Sequence, residues 1–479
     1  IQELHDMGKL FHKASITHRV AFCPRSGTPL VYKAQDSWFI DINGPQDIFW
    51  GKSLKERCIE ENEKINRYPA HNKYGRFLKS LESAPDRCIS RTRFWGTPMP
   101  IYRSQDGKDL IAIGSREELY QLQLNGSNTL IKKEENGTNI YRNTTRDAEL
   151  DMHVPYIDDV WFEKDGKKYT RTPEVLDSWM ESASMPYAQV HYPFENKEKF
   201  EASFPADYIV EYTGQIRAWF YVMHVLGVAL FDKPAFTNVV CHGVIAGNDG
   251  RKMSKSLGNF PDPKPTFEQY WWDAVRMSIL TTPLFNGGDM SFSEELILEA
   301  LKQNILPLWN AFWFFVTYAN IDNWSVSNSK EALYQAQSSD NRLDQWILWE
   351  LQTFITTIDE DLANYDLTHS SRQINKFLEN LTNWYIRRSR RRFRKSDSDS
   401  DKSFAYATLY TVLTQFCVVA SPFMPIISEY IWRTLTNSTL SPDHSELNSV
   451  HLQDFPSLEL SANKELSDQM NAAQDIVRM

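Results

Sequence analysis

Two patterns in this 479-residue chain predict an α/β half followed by an all-α half. Two short apolar runs, Tyr208–Glu211 and Asn238–Val240, flank a strongly apolar helical stretch, Gln215–Phe231. Strand, helix and strand at that spacing form a parallel βαβ unit, because a parallel return needs a long crossover. After about residue 262 the pattern changes to long segments of period 3.6: Phe267–Thr282, Glu294–Tyr318, Leu343–Leu362, Thr368–Arg391 and Phe404–Leu435. Helices of that length with apolar stripes predict a bundle.

The remaining elements follow in order. Residues 1–45 read as a short helix and then strands at Val31-Tyr32 and Trp38–Ile42. A helix is expected over Lys52–Ile65, leading into the Pro- and Trp-rich stretch Arg93-Phe94-Trp95-Gly96-Thr97-Pro98-Met99-Pro100. Residues 101–172 are polar, with Asn125-Gly126 and Asn136-Gly137 turns, and read as an insertion on the main fold. In the bundle, Lys395–Ser403 (KSDSDSDKS) reads as a polar loop, and a last helix is expected over Ser461–Met479.

Bulk properties narrow the class. A hydrophobic content of 42% with 24% charged residues suits a globular chain. The net charge of -10 gives no global attraction to nucleic acid, so any such contact must use a local basic patch. Cys23, Cys58, Cys88, Cys241 and Cys417 are dispersed, odd in number and without a CxxC pair. That argues against a disulfide framework and fits a reducing compartment, so a cytoplasmic location is expected. The longest apolar stretch, near Phe416–Ile427, is short for a bilayer span and carries Pro422 and Pro425, so no membrane role is expected.

Three constellations carry chemistry. Lys252-Met253-Ser254-Lys255-Ser256 lies in a polar loop between Asn248-Asp249-Gly250-Arg251 and Leu257-Gly258-Asn259. Two lysines separated by two residues can reach a polyphosphate and neutralise charge that builds as pyrophosphate leaves; the bland alternative is a solvated lysine loop. Glu211 ends a buried strand before Tyr212-Thr213-Gly214-Gln215, at the sheet edge where open parallel sheets bind ligands. It could hold an ammonium or a ribose hydroxyl there, or serve only as a helix-capping carboxylate. Arg387–Lys395 holds seven cations in nine residues, with Trp384 before it and Phe393 inside it. That density suits phosphates, and the aromatics could stack on bases; it equally suits a solvated helix end.

KMSKS in this position resembles the second signature of class I aminoacyl-tRNA synthetases. Other stretches are similar to the isoleucyl branch of that family: Glu174-Val175-Leu176-Asp177-Ser178-Trp179-Met180-Glu181-Ser182-Ala183-Ser184-Met185-Pro186-Tyr187-Ala188, Ser90-Arg91-Thr92-Arg93-Phe94-Trp95-Gly96-Thr97-Pro98, and Asn383-Trp384-Tyr385-Ile386-Arg387-Arg388-Ser389-Arg390. The resemblance runs from about residue 15 to about 455. It implies the second half of a Rossmann-like catalytic domain followed by a helical-bundle anticodon-binding domain.

By resemblance, Lys252 and Lys255 are catalytic, and Lys252, Met253, Ser254, Lys255 and Ser256 contact ATP together with His242 and Gly243. A lone His in that place is as often structural. Glu211 and Gln215 would contact the aminoacyl-adenylate, while Trp219 and Trp95 line the side-chain pocket. Trp384, Arg387, Arg388 and Arg390 would contact tRNA. The implied partners are ATP with Mg2+, isoleucine and tRNA, acting on a monomer in the full-length enzyme. The alternatives are a valyl enzyme of the same class or a tRNA-binding module without catalysis.

Three positions depart from the family pattern. Gly214 stands where Asp is usual, Arg394 where Trp is more frequent, and Ser26 where many relatives complete a zinc-binding pair with Cys23. With Ser26 in place, no zinc is expected, since tetrahedral zinc needs four good ligands.

No His-x-Gly-His occurs, and His12, His18 and His71 lack that spacing. The chain is therefore expected to carry one half of a divided ATP site. Residues 1–45 would be the exit of an editing insertion and the return strand, and 46–260 the catalytic half. A connector would span 261–335, the bundle 336–460, and 461–479 would begin a further region.

Overall fold

The computed structural model describes residues 1–479 except 18–19, 24–25, 32, 125–129, 136–137, 145, 147, 248, 256, 396–397, 437–447, 459–463 and 479. The chain divides into two compact units, Ile1–Asp41 with Asp86–Ser178, and Ile42–Pro85 with Trp179–Met479. The insertion expected at 101–172 is thus part of a larger unit that includes the first 41 residues.

That first unit is built on a four-stranded antiparallel sheet in the order Phe162–Lys164, Lys167–Arg171, Ile101–Ser104, Leu110–Ala112. Its core is aromatic: Tyr102, Phe162 and Tyr169 are buried, with Phe162 stacked on Tyr169 at 5.2 Å. The helix Arg116–Gln123 begins at Ser115, whose hydroxyl accepts from the Glu118 amide. The early strands are shorter than expected. Phe39–Ile40 pairs with Arg87–Cys88; Val31 is irregular and Tyr32 lies outside the described residues.

The second unit holds the parallel sheet. Ala206–Tyr212 pairs with Phe236–His242 along its whole length, as the βαβ pattern predicts. A third strand, Asn66–Tyr68, adds in parallel to the other side of Phe236–His242 and was not evident in the sequence. It is three residues long and largely polar, so it carries no period-2 signal. The preceding helix is Leu54–Asn62, shorter than Lys52–Ile65, because Ser53 and Glu56 form a reciprocal capping box at its start.

The crossover helix also starts later than the apolar pattern suggests. Thr213–Arg217 forms a 3-10 turn, and the α-helix runs Trp219–Phe231 with Phe220–Val228 buried. His224, fully buried on that helix, donates from Nε2 to the Cys58 carbonyl at 2.8 Å, and Nδ1 has no partner among the described residues.

After residue 262 the unit is helical. Expected long helices are subdivided: Trp271 (φ 74) separates Pro263–Tyr270 from Trp272–Leu280. Leu367–Arg394 is continuous but contains a π-helical stretch at Asn380–Ile386. The loop expected at Lys395–Ser403 is mostly helix, because Ser398 caps a helix running Asp399–Ala420. Pro425 then opens the next helix, Pro425–Thr436.

Thr213–Phe231 and Asp399–Ala420 are long and apolar enough by composition to cross a membrane, but 56% and 78% of their apolar windows are buried inside the protein. Among the described residues, the apolar window within Asp399–Ala420 is accounted for by its burial in the bundle core.

Candidate active site

The carboxyl ends of the parallel strands bring most of the predicted residues together. Register pairs Glu211 with Cys241 and Tyr212 with His242, so the two strand ends finish side by side. Glu211 is half-buried and accepts from the Tyr212 amide at 3.3 Å. It does not cap the following helix. Gln215 does, since its Oε1 accepts from the Trp219 amide at 3.1 Å. Trp219, half-buried, donates from its indole nitrogen to the Ser182 carbonyl at 3.0 Å, which fixes the ring plane.

His242 turns its Nδ1 onto the Gly243 carbonyl at 2.8 Å. Gly243 is required by its surroundings: a Cβ there would lie 1.8 Å from the Gly288 carbonyl oxygen. The Gly243 amide donates to Leu284 O at 2.8 Å, and the Val244 amide donates to Asp289 Oδ1 at 2.8 Å. Backbone therefore packs on backbone at this sheet edge.

The lysine loop springs from the same edge. Ile245–Ala246 pairs in parallel with Met290–Ser291, and Ala246 also bridges Lys252 in antiparallel sense. Asn259 ties the loop internally. Its Oδ1 accepts from the Ser254 amide at 3.0 Å, and its Nδ2 lies 3.0 Å from Asp249 Oδ1, 3.2 Å from Arg251 O and 3.3 Å from Lys252 O. The bond from Asn259, the Arg251 amide and the Arg251 guanidinium hold the Asp249 carboxyl down at about 2.

Lys252 places its ammonium 3.8 Å from the centre of the Tyr212 ring. Lys255 is exposed, Met253 and Ser254 are half-buried, and Ser256 lies outside the described residues. Tyr212 and Asn259 are organising residues that the motifs alone do not single out. Both lie inside those motifs, and their short-range spacing to the lysines is the signal that could have found them.

Trp95 belongs to the other unit, where it is 74% exposed and meets Phe94 edge-on. Asp177, from the motif around Trp179, is buried and pairs with Arg87 at 2.7 Å and Arg91 at 3.3 Å, a structural clasp within that unit.

The basic helix divides by face. Arg387, Arg388 and Arg390 are exposed. Arg392 is turned inward, donating to both Asp344 oxygens at 2.7 and 2.8 Å and to Asp401. Two expectations of base stacking need correction. Trp384 is 7% exposed in the bundle core, with Arg388 4.4 Å over its ring, and Phe393 is buried against Phe314 and Tyr406. Arg394 donates to the Tyr318 hydroxyl at 2.8 Å.

Among the described residues no group of three or more His, Cys, Asp or Glu side chains is arranged to hold a metal ion. Cys23 and Ser26 flank residues 24–25, which lie outside the described set.

Comparison with known proteins agrees with an α/β half followed by a helical bundle. The model for class I tRNA synthetases of the isoleucine, leucine, methionine and valine group matches residues 12–293, more than half of the chain. The chain belongs to the class I tRNA synthetases. The model for the anticodon-binding domain of tRNA ligases matches residues 344–479 of this synthetase chain.

Isoleucine–tRNA ligases of Protochlamydia amoebophila and Chlamydia abortus are 41% and 40% identical over 100% of this chain. The chain spans 42% of the length of each. A similar relative, from Treponema denticola, is 40% identical, with 41% of its length covered.

Two solved synthetases show the same fold at low identity. The Mycobacterium tuberculosis methionyl-tRNA synthetase in complex with methionyl-adenylate has a TM-score of 0.54 at 17% identity, over 86% of this chain and 65% of its own. The Agrobacterium radiobacter K84 LeuRS, solved in a ternary complex with tRNA and LeuAMS, has a TM-score of 0.51 at 18% identity. That likeness covers 80% of this chain and 43% of the LeuRS chain.

Proposed function

We propose that this chain supplies the lysine-loop half of the active site, and the anticodon-binding bundle, of an isoleucine–tRNA ligase. The observation that carries the reading is the placement of Lys252 and its loop on the sheet edge formed by Glu211, Tyr212 and His242. Identity of 40–41% to isoleucine–tRNA ligases along the whole chain supports isoleucine as the amino acid.

In the proposed reaction the isoleucine carboxylate attacks the α-phosphorus of ATP in line. One carboxylate oxygen forms the new bond to phosphorus as the bridging oxygen to the β-phosphate leaves with pyrophosphate. Lys252 and Lys255 neutralise the phosphate charge that builds on this path, where a cation counts most if it is already close. Glu211, at the end of its strand, is the proposed acceptor for an ammonium or ribose hydroxyl, and Trp219, at the start of the crossover helix, the proposed apolar wall of the side-chain pocket. His242 and Gly243 are assigned to the nucleotide by their place at the end of the strand beside Tyr212, the close packing of Gly243 being against the Gly288 backbone.

Magnesium enters with ATP as part of the nucleotide substrate. The acyl group then passes to the terminal ribose of tRNA, whose contacts with the bundle fall to Arg387, Arg388 and Arg390. These arginines share the exposed face of one helix.

The test is ATP–pyrophosphate exchange by the full-length enzyme with isoleucine against valine. One methylene in an apolar pocket discriminates by about 10- to 200-fold, a limit for which isoleucyl synthetases are themselves the usual illustration. Exchange that favours isoleucine within that range supports the reading. A preference for valine would move the chain to the valyl branch, and no exchange with either, tRNA binding being retained, would reduce it to a binding module.

A further inference from the structure

We propose that Tyr212 is a positioning residue for Lys252, and that Gly214 is glycine so that the Tyr212 ring can take that position. This rests on the adenylation reading above and adds a residue to it.

Three observations meet at Tyr212. Its ring carries the Lys252 ammonium 3.8 Å from the centroid. Its backbone closes the strand beside His242, whose ring lies 6.5 Å away. Beneath the ring sits Gly214, where an added Cβ would fall 2.3 to 2.5 Å from the far atoms of the tyrosine. Those atoms end a rotatable side chain, so a larger residue at 214 would displace the ring and leave the backbone in place. The departure at Gly214 and the contact to Lys252 are therefore one arrangement.

The two lysines are held differently. Lys252 has its backbone fixed by the bridge to Ala246 and by Asn259, and its ammonium fixed by the ring. Lys255 is exposed, and among the described residues no ion pair or ring contact holds its ammonium. A cation set in advance at the sheet edge loses less freedom when polyphosphate arrives than one gathered from solvent. Tyr212 thus preplaces Lys252, whereas no such contact preplaces Lys255 among the described residues.

The experiment is isoleucine-dependent ATP–pyrophosphate exchange by the full-length enzyme carrying Tyr212→Leu, Tyr212→Phe, Gly214→Ala or Lys252→Met, and the Tyr212→Leu/Lys252→Met pair. Loss of the ring should lower kcat/KM for ATP by about 3- to 30-fold, the span of a lysine on an aromatic face. Tyr212→Phe keeps the ring and should restore the rate to within about two-fold. Gly214→Ala should fall towards Tyr212→Leu, and Tyr212→Leu should add nothing further to Lys252→Met.

A wild-type rate for Tyr212→Leu, or losses that multiply in the pair, would overturn the proposal while leaving the adenylation reading intact. If Tyr212→Leu fails to fold, Tyr212→Phe and Gly214→Ala carry the test, and a wild-type kcat/KM in Gly214→Ala overturns it. Absence of exchange in the unsubstituted enzyme would instead remove the reading on which it rests.

Discussion

Arg392 clamps Asp344 with two guanidinium nitrogens, at 2.7 and 2.8 Å, inside the helical bundle. Asp344 is fully buried and also accepts from the Tyr385 hydroxyl at 2.8 Å and the Ser339 hydroxyl at 2.6 Å. Burial works against the Arg392 charge, but the bonds to Asp344 and Asp401 outweigh it and raise the guanidinium above its ordinary value. The most basic segment of the chain is thus anchored by its own buried ion pair, leaving Arg387, Arg388 and Arg390 facing out.

Removing one partner of this pair strands the other. Arg392→Met should destabilise the bundle by about 3–5 kcal/mol, the usual result of leaving a buried carboxylate unpaired. Replacing both, as Arg392→Met with Asp344→Leu, should recover much of that loss. Urea unfolding checks both variants, and a single variant as stable as wild type would exclude an anchoring role.

The exposed arginines should behave in the opposite way. Arg387→Ala with Arg390→Ala is expected to leave the unfolding midpoint almost unchanged. If these side chains neutralise tRNA phosphates, their removal makes the salt dependence of binding shallower. The log–log slope should fall by about 0.7 to 0.9 for each phosphate no longer neutralised. Filter binding across a salt series measures it; an unaltered slope would place the tRNA on another surface.

His224 sets a pH limit on the parallel sheet. Burial lowers its imidazole from 6.5 to about 4, with the bond to Cys58 opposing and the nearby Arg67 charge adding to the effect. The unfolded chain takes up a proton near 6.5 that the folded chain refuses until about 4. The stability associated with neutral His224 is therefore complete above 6.5. It falls as pH drops through that window, by up to about 1.4 kcal/mol per unit, and levels off below it. His224→Gln should flatten this part of the stability profile, and an equally steep profile in the variant would assign the slope to other groups.

Much of this arrangement could be read from the chain, and the exceptions share a cause. The strands around Val210 and Val240 and the lysine loop announce themselves through local pattern and unusual residue combinations. Asn66–Tyr68 does not, because a three-residue strand is specified by its neighbour in the sheet and not by its own side chains. The basic run misled when counted along the chain instead of around the helix. Tyr385, Ser389 and Phe393 recur every four residues on one buried face, with Trp384 and Arg392 turned towards the same interior. The sequence did not show that Gln215 Oε1 serves the first amide of the crossover helix, a need fixed by where the 3-10 turn ends.

The adenylating role of the Lys252–Lys255 loop is tested most directly by Lys255→Ala in the full-length enzyme, read by isoleucine-dependent ATP–pyrophosphate exchange alongside tRNA binding. Lys255 is exposed and outside the packed core, so the substitution should leave folding intact. Exchange should fall by orders of magnitude while tRNA affinity stays nearly constant. An unchanged exchange rate would contradict a catalytic role for Lys255 in this loop.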